Sequence, residues 1–154
     1  MLHGTQQAGS LLQKGVLVTG SGPIGALAVA VARHFGAEEI VATDIVPEPL
    51  PVARRLGADR TIDISACPND LAACAAGKDT FDVLFECSGN EAALRTALPT
   101  MRPGASVVQL GIAGARWPSL STSWWPRNSR SRARIGSRTN SLSRPSSSAR
   151  VGLT

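Results

Sequence analysis

Tyrosine is missing from this chain of 154 residues and histidine occurs only twice, so no phenol and few imidazoles are on hand for proton transfer. Cysteine is scarce too. Cys67, Cys74 and Cys87 are odd in number and lack the close paired spacing of a zinc site or a redox dithiol, and we read them as reduced structural thiols. No stretch reaches the length of a membrane span, roughly eighteen apolar residues, and Met1 to Ser10 has no basic cluster leading into an apolar run. A soluble, cytoplasmic chain with no membrane partner is the expectation.

Acidic residues are absent from both ends, all eleven lying between Glu38 and Glu91. Up to Gly114, eight Lys or Arg stand against those eleven acids, a net of −3, whereas Ala115 to Thr154 holds eight Arg and no acid, a net of +8. The same last forty residues hold eleven serines and all three tryptophans and show no helical or strand period. The chain therefore divides near Gly114. With 43% apolar residues overall, residues 1–114 can bury a core, while residues 115–154 read as a disordered basic tail.

What is present before the division is an alternation of short β-branched runs with segments of helical spacing, the pattern of a parallel sheet with crossover helices. Val16 to Thr19, Ile40 to Thr43, Thr61 to Ile64, Phe81 to Phe85 and Ser106 to Leu110 read as five strands. Between the first two, Ile24, Leu27, Ala28, Val31, Ala32 and Phe35 recur at three- and four-residue steps, predicting one buried helix face that ends at Gly36. Short helices are predicted over Val52 to Leu56 and Asn69 to Ala76. Asn90 is placed to cap another, with Ala93, Leu94, Ala97, Leu98 and Met101 inward and Pro103-Gly104 as its stop. The expected class is α/β, a doubly wound parallel sheet of the Rossmann type with five strands and its sixth missing.

Gly20-Ser-Gly22-Pro-Ile-Gly25 fits G-x-G-x-x-G and sits directly between a strand and an amphipathic helix, the context that makes this motif informative. Gly20 allows a tight turn, Gly22 removes a Cβ that would collide with a pyrophosphate, and Gly25 permits close helix packing. Backbone near Pro23, Ile24 and Gly25 then faces the phosphates from a helix N-terminus. Asp44 ends the second strand nineteen residues after Gly25, where a carboxylate accepts hydrogen bonds from the adenosine ribose hydroxyls. A 2′-phosphate would meet its charge, so NAD is favoured over NADP. The blander readings are an unliganded glycine turn and a solvated aspartate; a strand, turn, helix and acid in this order weigh against both.

Longer stretches carry a family resemblance. Val16-Leu-Val-Thr-Gly-Ser-Gly-Pro-Ile-Gly25, Leu56-Gly-Ala-Asp59 with Ile62-Asp63, Phe81-Asp-Val-Leu-Phe-Glu-Cys-Ser-Gly89, and Arg102-Pro-Gly104 followed by Val107-Val-Gln-Leu-Gly111 resemble the cofactor domain of the zinc-type medium-chain dehydrogenases. The likeness is nearest to the polyol dehydrogenases of the sorbitol and L-idonate 5-dehydrogenase kind and covers roughly residues 3 to 114. It implies that Cys87, Ser88 and Gly89 line the cofactor and that Leu110, Gly111 and Ile112 lie near the nicotinamide. It also implies homo-oligomers, and a catalytic zinc held by a separate β-rich domain. His3 and His34 have no ligand partner in sequence, so no metal ligand and no catalytic residue are assigned here. The expectation is the cofactor-binding share of an NAD-dependent alcohol dehydrogenase, inactive alone. A short-chain reductase fails for want of its tyrosine, and Leu56-Gly-Ala-Asp59 with Glu86-Cys-Ser-Gly89 argue against a methyltransferase.

The tail has two readings. Trp has a single codon, so reading one nucleotide earlier turns Trp125 into Val and both Pro118 and Pro126 into Ala, while TCN serines become Leu, Val, Ile or Phe. One compatible reading of Ala115 to Arg134 resembles the family's approach to its sixth strand, so the tail reads as that segment out of frame. The alternative is an arginine-serine arm that binds nucleic acid, with Trp117, Trp124 and Trp125 stacking on bases. We rank it second, since such an arm has no reason to decode into family-like sequence.

Overall fold

Strand β1, Gly15–Thr19, is apolar at nearly every position because both its faces are covered. Val16 and Val18 point into one core layer and Leu17 into the other, the period of two that a pleated strand imposes. The computed structural model describes residues 8–74, 80–111 and 133–134. After β1 come helix α1, Pro23–His34; β2, Glu39–Asp44; α2, Leu50–Arg55; β3, Arg60–Asp63; α3, Asp70–Cys74; β4, Phe81–Glu86; and α4, Glu91–Ala97. A 3₁₀ turn over Leu98–Thr100 leads into β5, Met101–Gln109. With a short β6 at Ala133–Arg134, every pairing is parallel and the order is β3-β2-β1-β4-β5-β6, so the chain reverses direction across the sheet between β1 and β4. This is the doubly wound Rossmann order.

The five strands expected from sequence are all present, and where the sixth is expected to be missing a further short strand lies beside them. Ala133–Arg134 forms a short β6 beside β5, pairing Val107 with Ala133 and Val108 with Arg134. The physical reason is that the outer edge of β5 presents a row of backbone N–H and C=O groups, which extended backbone can meet whatever side chains it carries. The rest of the tail, for which disorder is expected, lies outside the described residues.

Two cores sandwich the sheet. On one side α1 packs Ala28, Val29 and Ala32 against Val16, Val18, Ile40, Phe85 and Val108. On the other, Leu71 of α3 and Leu94 and Ala97 of α4 cover Leu17, Val41, Leu84 and Val107. The buried face of α1 is rotated from the expected one. Gly25, Ala26, Ala28, Val29 and Ala32 face inward, whereas Ile24, Leu27 and Phe35 are exposed and Val31 is half-buried. Small side chains let the helix approach the sheet closely, and there is no room for the large ones between them.

Met101 also departs from expectation, since it begins β5 instead of closing a helix. Between the pairs Phe81–Met101 and Val83–Ser106, β4 advances two residues and β5 five. The excess bulges out at Arg102-Pro103-Gly104, where proline has no N–H to donate and Gly104 has φ +84°. The Leu56-Gly-Ala-Asp59 segment earns its form similarly. Gly57 turns the chain at φ +116°, Ala58 is buried, and the Asp59 carboxylate accepts the Ile40 N–H at 2.8 Å and pairs with Arg33 at 2.5 Å. Arg33 further donates to the Gly57 carbonyl at 2.7 Å, tying the end of α1 to the end of α2.

The two glycines that flank the start of α1 are expected to respond oppositely to a methyl group. A Cβ on Gly25 would lie 1.8 Å from the Gly20 carbonyl oxygen, so Gly25→Ala should cost upwards of about 3 kcal/mol. At Gly22 a Cβ meets nothing within 4 Å and φ is −60°, so Gly22→Ala should stay within about 1 kcal/mol of wild type. Urea denaturation of both variants checks the contrast.

Candidate functional site

The C-terminal ends of β1, β2 and β4 open onto a cleft of about 450 Å³. It lies where an open parallel sheet places its ligands, beside the point at which strand order reverses. The turn after β1 forms one rim. Gly20 has φ +83° and sits so close to the turn after β4 that a Cβ would lie 2.7 Å from the Ser88 nitrogen, so no other residue fits there. Pro23 occupies the first helical position, where its missing N–H costs nothing. Gly22 supplies no side-chain cap, so the first-turn N–H groups of α1 are left for another acceptor.

Asp44 stands beside this turn, at the end of β2. One carboxylate oxygen accepts the Ser21 N–H at 2.6 Å and the other the Val46 N–H at 3.0 Å. Charge-assisted bonds of this kind are each worth about 1.5–3 kcal/mol when buried and less where water competes. Their geometric effect is to fix the carboxylate against the glycine turn while leaving lone pairs on both oxygens for a ligand. Ser21 is itself held, its hydroxyl donating to the Thr43 carbonyl at 3.2 Å.

The third wall is the turn Cys87-Ser88-Gly89 after β4. Asn90 then caps α4, its side chain accepting the Ala92 N–H at 2.8 Å. Ile45, Val46 and Ile64 on one side and Ala93 and Thr96 on the other give the cleft an apolar slot. Of the residues singled out from sequence, Gly20, Gly22, Asp44, Cys87 and Ser88 line one cleft. Pro23 and Ile24 are exposed at the start of α1 and Gly25 is packed against the turn, outside the lining. Gly89 and Gly111 meet behind the wall, where a Cβ on Gly111 would lie 2.3 Å from the Gly89 nitrogen. Leu110 is half-buried against the α1 core, and Ile112 lies outside the described residues.

Three features escape the sequence. Ser21 is the partner of Asp44, Ile45 and Val46 furnish the slot, and Glu86 is a fully buried carboxylate behind the third wall. An acid directly after the apolar run Val83 to Phe85 is the signal that marks Glu86. Two acidities move. Burial, with the Glu86 charge beside it, pushes the Cys87 thiol up to about 12. The Ser65 hydroxyl, with the N–H groups of Ser65 and Ala66, holds the Asp63 carboxyl below its ordinary value.

Metal chemistry finds no support here. Among the described residues no three His, Cys, Asp or Glu side chains are grouped to hold a metal ion. His34 stands edge-on to Phe35 with ring centroids 5.3 Å apart, and His3 lies outside the described residues. These residues do not fit a catalytic zinc. They do fit a dinucleotide: an open approach at Gly22, unspent donors at a helix start and a carboxylate fixed beside the same turn. Among the described residues no helix is long and apolar enough to cross a membrane.

Strand order and cleft together define a doubly wound nucleotide-binding fold. The model of the zinc-binding dehydrogenase family matches residues 23–143, and the chain belongs to that family. It is 46% identical over 107 residues to an L-threonine 3-dehydrogenase of Anaeromyxobacter sp. (strain Fw109-5), covering 66% of this chain and 30% of that one. It is 38% identical over 114 residues to the L-idonate 5-dehydrogenase (NAD(P)(+)) of Escherichia coli (strain K12), covering 74% and 33%. Thus the chain spans about a third of the length of these relatives. The solved structure of the E. coli L-idonate 5-dehydrogenase superposes with a TM-score of 0.69 at 35% identity, over 79% of this chain and 35% of that one. A zinc-binding dehydrogenase of Sinorhizobium meliloti 1021 bound to NADP superposes at 0.71 with 26% identity, over 80% and 37%.

Exposed Cys67 and half-buried Cys87 should differ sharply toward an alkylating agent. With its acidity near 12, Cys87 holds on the order of a thousandfold less thiolate at pH 8 than a free thiol. Mass-spectrometric timing of iodoacetamide labelling should find Cys67 modified first and Cys87 only near the end. Equal rates would contradict the buried placement.

Proposed function

We propose that this chain binds NAD and is the cofactor-holding unit of an NAD-dependent dehydrogenase acting on a secondary alcohol of a polyol or sugar acid. The observation that carries the reading is the Asp44 carboxylate, fixed by the Ser21 N–H at 2.6 Å beside the glycine turn, in the cleft that Gly22 also lines. In this reading Asp44 accepts hydrogen bonds from the adenosine ribose hydroxyls, and the adenine lies in the slot beside Ile45 and Val46. Gly22 gives the pyrophosphate its approach to the first-turn N–H groups of Ile24 and Gly25. Cys87, Ser88 and Gly89 wall the middle of the dinucleotide, and Leu110 and Gly111 the nicotinamide end. When bound, NAD supplies a nicotinamide that accepts hydride from the alcohol carbon.

Residues 1–114 form the cofactor unit in this proposal, working in the cytoplasm and, as in the family, within a homo-oligomer. The likeness to L-idonate 5-dehydrogenase supports the sugar-acid substrate, while likeness to L-threonine 3-dehydrogenases makes an amino-acid alcohol the first alternative to assay. Zinc has no place among the described residues, so polarising the alcohol oxygen falls to groups outside them.

Two outcomes test the proposal. Isothermal titration of the whole chain should find NAD bound at least about tenfold more tightly than NADP, and Asp44→Asn should narrow that ratio by removing the charge facing the 2′-phosphate. NADP binding as well as NAD would contradict the assignment of Asp44. The chain alone should show no oxidation of L-idonate, sorbitol or L-threonine with or without added zinc, and turnover above a no-enzyme control would overturn the division of labour proposed here.

A further inference from the structure

Glu86 is the one carboxylate among the described residues that is fully buried, at 0% exposure, and no ion pair offsets it there. A buried polar group persists only where hydrogen bonds satisfy it, so its partners say what it is for. One oxygen, Oε1, accepts three: the Ser88 N–H at 2.8 Å, the Ser88 hydroxyl at 2.5 Å and the Gly89 N–H at 2.9 Å. The backbone of the same residue holds the neighbouring turn, its carbonyl accepting the Leu110 N–H at 2.7 Å and the Gly111 N–H at 2.9 Å. Glu86 thus organises the turns after both β4 and β5.

The other oxygen, Oε2, is buried without a partner, and so is Thr19 Oγ1. Thr19 and Glu86 are register partners on adjacent strands, so their side chains leave the same face of the sheet. That face carries Leu17 and Leu84, the layer over which the cleft opens, and Thr19 is part of its lining. A packing role alone would be served by an apolar residue, as Leu84 and Phe85 show in the same strand. A carboxylate bent onto its own turn is instead the device that holds Ser88 and Gly89 against Gly20 and Gly111.

Resting on the dinucleotide reading, we infer that Glu86 is a positioning residue for the cofactor: its Oε1 holds the Cys87-Ser88-Gly89 wall in the geometry that accepts the dinucleotide. The requirement is an acceptor at Oε1, not a negative charge. Glutamine, whose carbonyl supplies that acceptor, therefore replaces it and alanine does not.

The test follows the backbone amides of the full chain by nitrogen–proton correlation spectra during NAD titration. In wild type the Ser88 and Gly89 resonances should shift together with those of Gly20 and Gly22 along one binding curve. Glu86→Ala should move the Ser88 and Gly89 amide protons upfield before any ligand is added and weaken NAD binding at least about tenfold, as expected when a contact surface is displaced. Glu86→Gln should keep both the amide positions and the affinity, within about threefold of wild type. A folded Glu86→Ala chain with unchanged affinity, or a Glu86→Gln chain that loses it, overturns the inference. Should Glu86→Ala not fold, the wild-type titration and Glu86→Gln still decide: shifts at Gly20 and Gly22 with none at Ser88 and Gly89 overturn this inference alone. No response to NAD anywhere in wild type overturns the dinucleotide reading together with it.

Discussion

Helix α1 leaves strand β1 with no space for a side chain between them. A Cβ at Gly25 would stand 1.8 Å from the Gly20 carbonyl oxygen and 2.8 Å from its carbon, and the nearest side-chain atom is a methyl of Val18 at 3.5 Å. From that close approach the rest follows. The turn is tight enough to bring the Ser21 N–H to Asp44, and its left-handed Gly20 abuts Ser88, so the turns after β1, β2 and β4 share one rim. The small inward residues of α1 then bury against both neighbouring strands, while Gly22 stays open to the solvent side of the turn. Asp44, Gly22 and Ser88 are brought together by a backbone constraint before any side-chain chemistry is considered.

Much of this was legible in the residues, for identifiable reasons. Parallel strands buried on both faces leave continuous apolar runs such as Val16 to Val18, and glycines punctuate them, so all five long strands can be located from sequence. Asp44 is legible because a strand-end acid at that distance from a glycine turn has few other uses. The face of α1 was not. Hydrophobic size points to Ile24, Leu27 and Phe35, but the space available admits only Gly, Ala and Val, and steric fit overrides hydropathy there. The bulge at Arg102 to Gly104 and the short β6 were hidden for a related reason, since both are decided by backbone hydrogen bonding and not by side-chain pattern.

Within the site the division is similar. Residues that belong to the glycine motif, such as Gly22, announce themselves by type and spacing. Residues that hold the site together, such as Ser21 and Glu86, act through one or two local hydrogen bonds and leave almost no periodic trace. The family's cofactor fold can thus be recognised in a chain that spans about a third of its relatives' length, because the elements that build the cleft all fall within that third.

The central claim, that Asp44 and the glycine turn together hold the adenosine half of NAD, is tested most directly by a crystal structure of this chain grown with NAD. The account predicts the ribose hydroxyls within hydrogen-bonding distance of the Asp44 carboxylate, the pyrophosphate over Gly22 and the adenine between Ile45 and Ala93. A dinucleotide bound elsewhere, or a cleft without NAD at saturating concentration, would contradict it.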